Sequence, residues 1–402
     1  MTLVVGIDVA KEIHWATVVV AGSGHQVISR RVANTPDAIV GFLDELAAAV
    51  DVHGPATVGI DVLGGIAGLI TAMVLDTGHR LVHVPGIAVN RARQATRGGE
   101  HKSDPRDARV IADQLRLRDD WRPVTGHADL DIELNLLIAR RRELVCDQTR
   151  RINRARDMLT GIFPGLERAM DLTNLSGLHL LARYATPDQI RRAGRARIIA
   201  HLRRNGVRAD RADRLASAAM AAANQQHLAV PGQSRIAQFV REHAADLLAI
   251  RNRINVVDTE IAEVLQHHPD AALVQSMPGM GATLTAEFLA TVADMQRFPT
   301  ADTLAAASGL APVLQQSGKV HYLRRATGGA KILKRVFYHS AFCAISTDPA
   351  SKAFYTRKRT EGKRHQQALI ALARRRVNVL HAILRTRRPY NPNNVRTPQT
   401  AA

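Results

Sequence analysis

The chain has only two cysteines, Cys146 and Cys343, in 402 residues. That is too few for a disulfide framework or a cysteine zinc cluster, and it suits a reducing cytosol. Aromatic residues are scarce at 4%, which argues against binding single strands mainly by stacking bases on rings. No apolar run of about 18 residues occurs, and no basic segment followed by an apolar stretch opens the chain. Neither a membrane span nor a secretory signal is expected, and the location is read as cytoplasmic. Acids are also in short supply. Asp and Glu total 36 against 55 Lys and Arg, a formal charge of +19. Such an imbalance favours a polyanionic partner, because each phosphate neutralised by a cation releases condensed counterions. A generally basic protein is the alternative reading. What is plentiful is apolar: 46% hydrophobic residues can build real cores, and the length predicts two or three units.

Three β-rich runs open the chain, LVVGIDV at 3–9, HWATVVV at 14–20 and HQVISRRV at 25–32, with AGSG at 21–24 as a turn. Closely spaced runs of this kind read as an antiparallel meander. A helix follows, with Thr35 as N-cap and Pro36 at its first position. The strand ATVGIDV at 56–62, a helix from Gly65 to about Asp76, the strand RLVHV at 80–84 and a helix from Pro105 complete the unit. A meander followed by alternating helices and strands predicts a mixed sheet with helices on its faces, in the order of the ribonuclease-H-like fold. From about 130 to 160, Leu130, Leu134, Leu137, Ile138, Leu144, Val145 and Ile152 mark a long amphipathic helix with a basic outer face. A second runs from Ile236 to Leu265. Such stripes pair within a chain or between chains, and dimerisation is the preferred reading. Between them, roughly 175–228 reads as helical without a motif. MPGMGATLTAEFLATV, from Met277, offers either a helix-hairpin-helix turn that holds a phosphate or a plain helix start.

Asp8 ends the first strand, Asp61 ends the first strand after a helix, and Asp104 and Asp107 open a later helix. With the first and fourth strands as neighbours, Asp8 and Asp61 reach one crevice, and the later helix brings Asp107 alongside. Two Mg²⁺ ions about 4 Å apart clamp a scissile phosphate, and they need clustered hard oxygen ligands. An acid within an apolar strand is costly unless paired or metal-bound. For Asp104 and Asp107 plain helix capping is the competing reading. Glu12, Asp51 and Asp76 are rival acids in helical or turn positions.

Ser317 lies in VLQQSGKVHYLRRATGGAKILKR, close to His321, Arg324, Arg325, Lys331, Lys334 and Arg335. A serine attacks phosphate only where cations neutralise the target and a base is at hand. A Ser-Gly pair is also an ordinary turn, and Ser308 and Ser340 are rival hydroxyls. Further on, a basic amphipathic helix shows Leu369, Leu372, Val377, Leu380 and Leu384 on its apolar side. Lys363, Arg364, Arg374, Arg375 and Arg376 are placed elsewhere on it, facing a nucleic-acid backbone or simply solvent.

GIDVAK at 6–11, GIDVLGG at 59–65, HKSDPRDARVIA at 101–112, MPGMGATLTAEFLA, SGLAPVLQQSGK and EGKRHQQALIALARRRV together resemble the insertion sequence 110 family of transposases, in the family's order. The resemblance implies a RuvC-like, ribonuclease-H-like α/β domain over 1–125 with an acidic tetrad. It further implies a helical, coiled-coil region over 126–270, a mainly α transposase domain with a catalytic serine over 271–390, and a disordered tail over 391–402. The tetrad falls on Asp8, Asp61, Asp104 and Asp107, holding Mg²⁺, and the serine on Ser317. The family's second acid is typically Glu, and here it is Asp61. Implied too are a covalent phosphoserine link to DNA, a structured bridge RNA that pairs with target and donor DNA, and a homo-oligomer, dimer or tetramer. The cations expected at nucleic acid are Lys102, Arg106, Lys319, Arg324, Arg325, Lys331, Lys363 and Arg364. Two other readings stand beside it. One is a metal-dependent, structure-selective nuclease similar to a Holliday-junction resolvase, and the other is a non-catalytic nucleic-acid-binding factor.

Overall fold

The structure, a computed structural model, describes residues 2–95, 103–119, 121, 123–124, 129–292, 295–317, 320–324 and 326–392. Of the expected tail, 391–402, residues 393–402 lie outside the described residues, as do Lys102, Lys319 and Arg325. The chain divides into two units, Met1–Gly126 and His127–Ala402.

In the first unit the expected meander is present as β1 (Leu3–Asp8), β2 (Ile13–Val20) and β3 (Gln26–Ala33). Then come α1 (Pro36–His53), β4 (Ala56–Ile60), α2 (Gly68–Asp76), β5 (Arg80–His83), α3 (Gly86–Gln94) and α4 (Asp104–Leu117). The sheet order is β3-β2-β1-β4-β5, antiparallel across the meander and parallel from β1 through β4 to β5. That is the mixed sheet and strand order the sequence predicts. Thr35 and Pro36 begin α1 as expected. The nine-residue α3 was not expected; only Val89 in it is buried, so it carries almost no apolar period.

Alternation along a strand sends successive side chains to opposite faces. Leu3, Val5 and Ile7 of β1 and Ala56, Val58 and Ile60 of β4 therefore face one way, into a core closed by Ile39, Phe42 and Leu46 of α1. Each fully buried side chain of that size contributes about 1.5–3 kcal/mol. Gly6, Asp8, Gly59 and Asp61 belong to the other face, where α4 lies. Gly6 and Gly59 are partners in the β1–β4 register. A Cβ on Gly6 would stand 2.0 Å from the Ala108 carbonyl and 2.5 Å from the Ala112 nitrogen. On Gly59 it would meet Leu115 Cδ1 at 2.9 Å and Ile111 Cγ2 at 3.0 Å. Helix α4 thus rests its backbone on β1 and its Ile111 and Leu115 side chains on β4, one pleat short of the two aspartates.

The second unit is helical apart from one ribbon. Its elements are α5 (Asp129–Ile162), α6 (Pro164–Ala169), α7 (Leu175–Leu181), α8 (Pro187–Arg204), α9 (Ala209–Gln225), α10 (Gln233–His267), α11 (Ala271–Gln275), α12 (Ala282–Val292) and α13 (Ala301–Ala307). A two-stranded antiparallel ribbon follows, β6 (Val313–Ser317) and β7 (Val320–Arg324), then α14 (Lys331–Thr347), α15 (Pro349–Thr360) and α16 (His365–Thr386). The long helices α5 and α10 pair with each other, so the stripes that suggested pairing between chains are buried within one. Arg141 Nε donates to Asp258 at 2.5 Å, and Arg151 is paired with Asp246. The pair passes through two cores. One joins Leu134, Ile138, Leu144, Ile250 and Ile261 to the C-terminal helices, and the other joins Ala155, Leu159, Val240 and Leu247 to α6–α9.

Gly6→Ala should lower the stability of the first unit by about 1–3 kcal/mol or more, since its Cβ meets backbone that cannot rotate away. Gly41→Ala on α1, where nothing lies within 4 Å, should be neutral or slightly stabilising. Thermal melting of both variants checks the contrast.

Candidate active site

The four acids approach from three directions. Asp8 is the last residue of β1 and half-buried, and Asp61 follows the last residue of β4 and is also half-buried. Their strands are parallel neighbours with Ile7 opposite Ile60, so the two aspartates are the next pair in register. Parallel strands lie about 4.8 Å apart, which brings the two acids to one crevice at the strand ends. The Val9 N–H donates to Asp61 Oδ1 at 3.4 Å. Burial pushes the Asp61 carboxyl above the usual range; the Val9 hydrogen bond opposes that, and the Asp107 charge adds to it. His83 stands at the same place, its Nε2 3.2 Å from the Asp61 carbonyl oxygen.

Asp107 is almost wholly buried, at 5% exposure, on the face of α4 turned to the sheet. The first-turn position suits a capping acid, but the structure uses it otherwise. Both of its carboxylate oxygens accept from Arg93 Nη1, each at 2.8 Å. Arg93 comes from α3 and also donates through Nη2 to Asn90. Asp104, read as an N-cap, is instead the first residue of α4, exposed, with Ser103 in the cap position. Arg106 is half-buried on the same turn. Among the described residues no three His, Cys, Asp or Glu side chains are grouped as metal ligands. The donors have the chemistry of a hard-cation site, while Asp107 is turned to an arginine.

Sequence reasoning missed Arg93 and His83, and also His14. The last is fully buried, accepts from the Ala10 N–H at Nδ1, and is held neutral by desolvation, which lowers its pKa. For Arg93 the one available signal is its basic stretch NRARQ directly before the acids.

In the second unit β6 ends on Ser317, opposite Val320 across the turn of the ribbon. The ribbon carries exposed Leu314, Tyr322, Leu323 and Arg324. Both rival serines are fully buried and occupied: Ser308 Oγ donates to the Leu304 carbonyl at 2.7 Å, and Ser340 Oγ accepts from Arg376. Lys331, Lys363 and Arg364 are exposed, as a backbone-contacting cation must be. Two other cations are not where their sequence context suggested. Arg335 donates to the buried Glu287 at 2.5 Å and ties α14 to α12. Arg376 is 4% exposed and bonds Ser340, Ser351 and the Pro278 carbonyl. Burial lowers its pKa to about 10, so it stays charged at neutral pH while bracing the PGMG turn. That turn packs inward against α14, where a Cβ on Gly279 would meet the Ser340 carbonyl at 2.6 Å. It serves as a joint between helices.

Residues 5–164 match the DEDD transposase family of IS110, and residues 271–356 match the transposase IS116/IS110/IS902 family. The chain is 42% identical to the 42 kDa protein of insertion element IS900 from Mycobacterium paratuberculosis, over 96% of each chain. It is 40% identical to the 44.8 kDa protein of IS116 from Streptomyces clavuligerus, again over 96% of each. Among solved structures, RuvC of Thermus thermophilus with a Holliday junction substrate matches at a TM-score of 0.25 and 14% identity, over 31% of this chain and all of that one.

Two outcomes follow from the geometry. A carboxyl whose folded pKa is raised favours the fold when protonated, and that contribution is lost as pH rises through the folded value. Asp61→Asn should therefore raise the melting temperature at neutral pH, with the gain vanishing as pH falls below the ordinary carboxylate range near 3.9. Melting curves across that window check the sign. Arg93→Ala leaves Asp107 as a buried, uncompensated charge and should cost about 3–5 kcal/mol. Adding Asp107→Asn should recover much of the loss in a double-mutant cycle.

Proposed function

The chain belongs to the IS110 family of transposases, and on that premise we propose that it moves its element by cutting DNA with a four-aspartate site and joining strands through Ser317. The observation that carries this reading is the parallel pairing of β1 with β4, which sets Asp8 and Asp61 at neighbouring strand ends, with Asp107 near enough for its charge to act on Asp61. Asp104, one turn earlier on α4, completes the set.

The acids fit a hard divalent ion in donor type: all are carboxylates, and the desolvated Asp61 beside Asp107 gains most from a nearby cation. When bound, Mg²⁺ supplies Lewis-acid activation of the scissile phosphate. Asp8 and Asp61 present their oxygens from a rigid sheet edge, and Asp107 joins them when Arg93 yields its carboxylate. Arg93 then remains within reach of a negatively charged phosphate.

Ser317 sits at the end of an exposed ribbon. Its hydroxyl attacks a DNA phosphorus, forming an Oγ–P bond while one P–O bond to deoxyribose breaks. The serine proton leaves to a base, and the released sugar hydroxyl is protonated. Attack by a hydroxyl of a second strand reverses the step, so bond energy is conserved. Arg324, Lys331, Lys363 and Arg364, together with Lys102, Arg106, Lys319 and Arg325, are assigned to phosphate neutralisation and backbone contacts. By resemblance to the family, a bridge RNA that pairs with target and donor DNA carries the choice of sequence, while the protein's cations hold the backbone. A dimer or tetramer is the expected active form.

Denaturing gels of stalled reactions test the serine directly. A protein–DNA adduct should form with the wild type, disappear in Ser317→Ala and persist in Ser308→Ala variants that remain folded. Cleavage by Ser317→Ala at the wild-type rate would favour the nuclease reading instead.

A further inference from the structure

A second cationic feature is built from residues that have no role assigned above. Arg150, Arg151, Arg154 and His243, with Asp147, line an open cleft of about 410 Å³ on the α5–α10 pair. Positions 147, 150, 151 and 154 recur at three- and four-residue spacing, so they share one face of α5 over about 10 Å of helix. The cleft falls where the two cores part. On α5, Leu144 is the last fully buried side chain of one core and Ala155 the first of the other.

The charges here are only partly answered. Arg150 is paired with Asp147 and Arg151 with Asp246, both at the surface. Arg154 is exposed and has no acceptor among the described residues. His243 Nδ1 is buried with no hydrogen-bond partner among them. Exposed ion pairs of the Arg150–Asp147 kind are worth less than about 1 kcal/mol, so a phosphate displaces the carboxylate at little cost. Guanidinium forks match phosphate oxygens in pairs, and the lining has too little apolar surface to hold a small organic molecule.

We propose that this cleft seats the phosphodiester backbone of duplex DNA, with Arg150 and Arg154 as the phosphate-neutralising groups. Duplex DNA is the occupant because it is the polyanion a transposase has at hand. The proposal is independent of the chemistry assigned to the aspartates and Ser317. Its contacts are to backbone alone and carry no sequence preference.

Salt-dependent binding of the full-length protein to a fluorescent DNA duplex tests it. The double variant Arg150→Ala/Arg154→Ala should weaken binding about tenfold and flatten the log–log salt slope by one to two. Arg154→Lys should keep the wild-type slope. Arg197→Ala removes an equally exposed cation from α8 outside the cleft and should change neither. If the double variant fails to fold, Arg154→Glu alone should give the same direction of change. Two results overturn the proposal: cleft variants no different from Arg197→Ala, or weakened binding to a folded RNA of equal length with duplex binding intact.

Discussion

The contact on which the N-terminal site depends is a helix lying on bare backbone. Gly6 and Gly59 sit side by side on β1 and β4, and α4 crosses them with its backbone against Gly6 and its Ile111 and Leu115 side chains against Gly59. Two residues further along each strand, the same face carries Asp8 and Asp61. The close approach therefore sets how far Asp107 stands from the strand ends, which no loop of variable length could fix as tightly. A sheet pleat and a helix seat together bring Asp107 near enough for its charge to act on Asp61.

Charge within that unit is unevenly balanced. Asp107 has an arginine on both oxygens, whereas Asp61 is desolvated beside it with one long backbone hydrogen bond. Clustered like charges of this sort destabilise a fold and recur where chemistry needs them. The second unit treats its cations differently. Arg376 is buried as a brace and Arg335 is absorbed by Glu287, while Lys331, Lys363 and Arg364 face outward.

Much of this was legible from residue patterns, for physical reasons. Apolar, β-rich runs marked β1, β2 and β4, the Thr35-Pro36 pair marked the start of α1, and acids in otherwise apolar strands pointed to the ends of β1 and β4. The pairing of α5 with α10 was not legible, because a stripe of apolar residues specifies a partner surface without naming the chain that supplies it. Arg376 was placed on the outer side of α16 although it lies among its buried residues. Sequence records charge but not the carbonyls and hydroxyls that satisfy it. Helix α3 escaped notice because one buried valine makes no period, and with it went Arg93, the group that most directly contacts the acids.

The central claim is that Asp8, Asp61 and Asp107 act as one ion-holding site. The direct measurement is Mn²⁺ binding to the purified protein, followed by electron paramagnetic resonance, in the wild type and in single Asn variants of these aspartates. The account predicts that Asp8→Asn and Asp107→Asn each abolish the same class of bound ion, and that combining them removes nothing further. Retention of that class by either variant would contradict it.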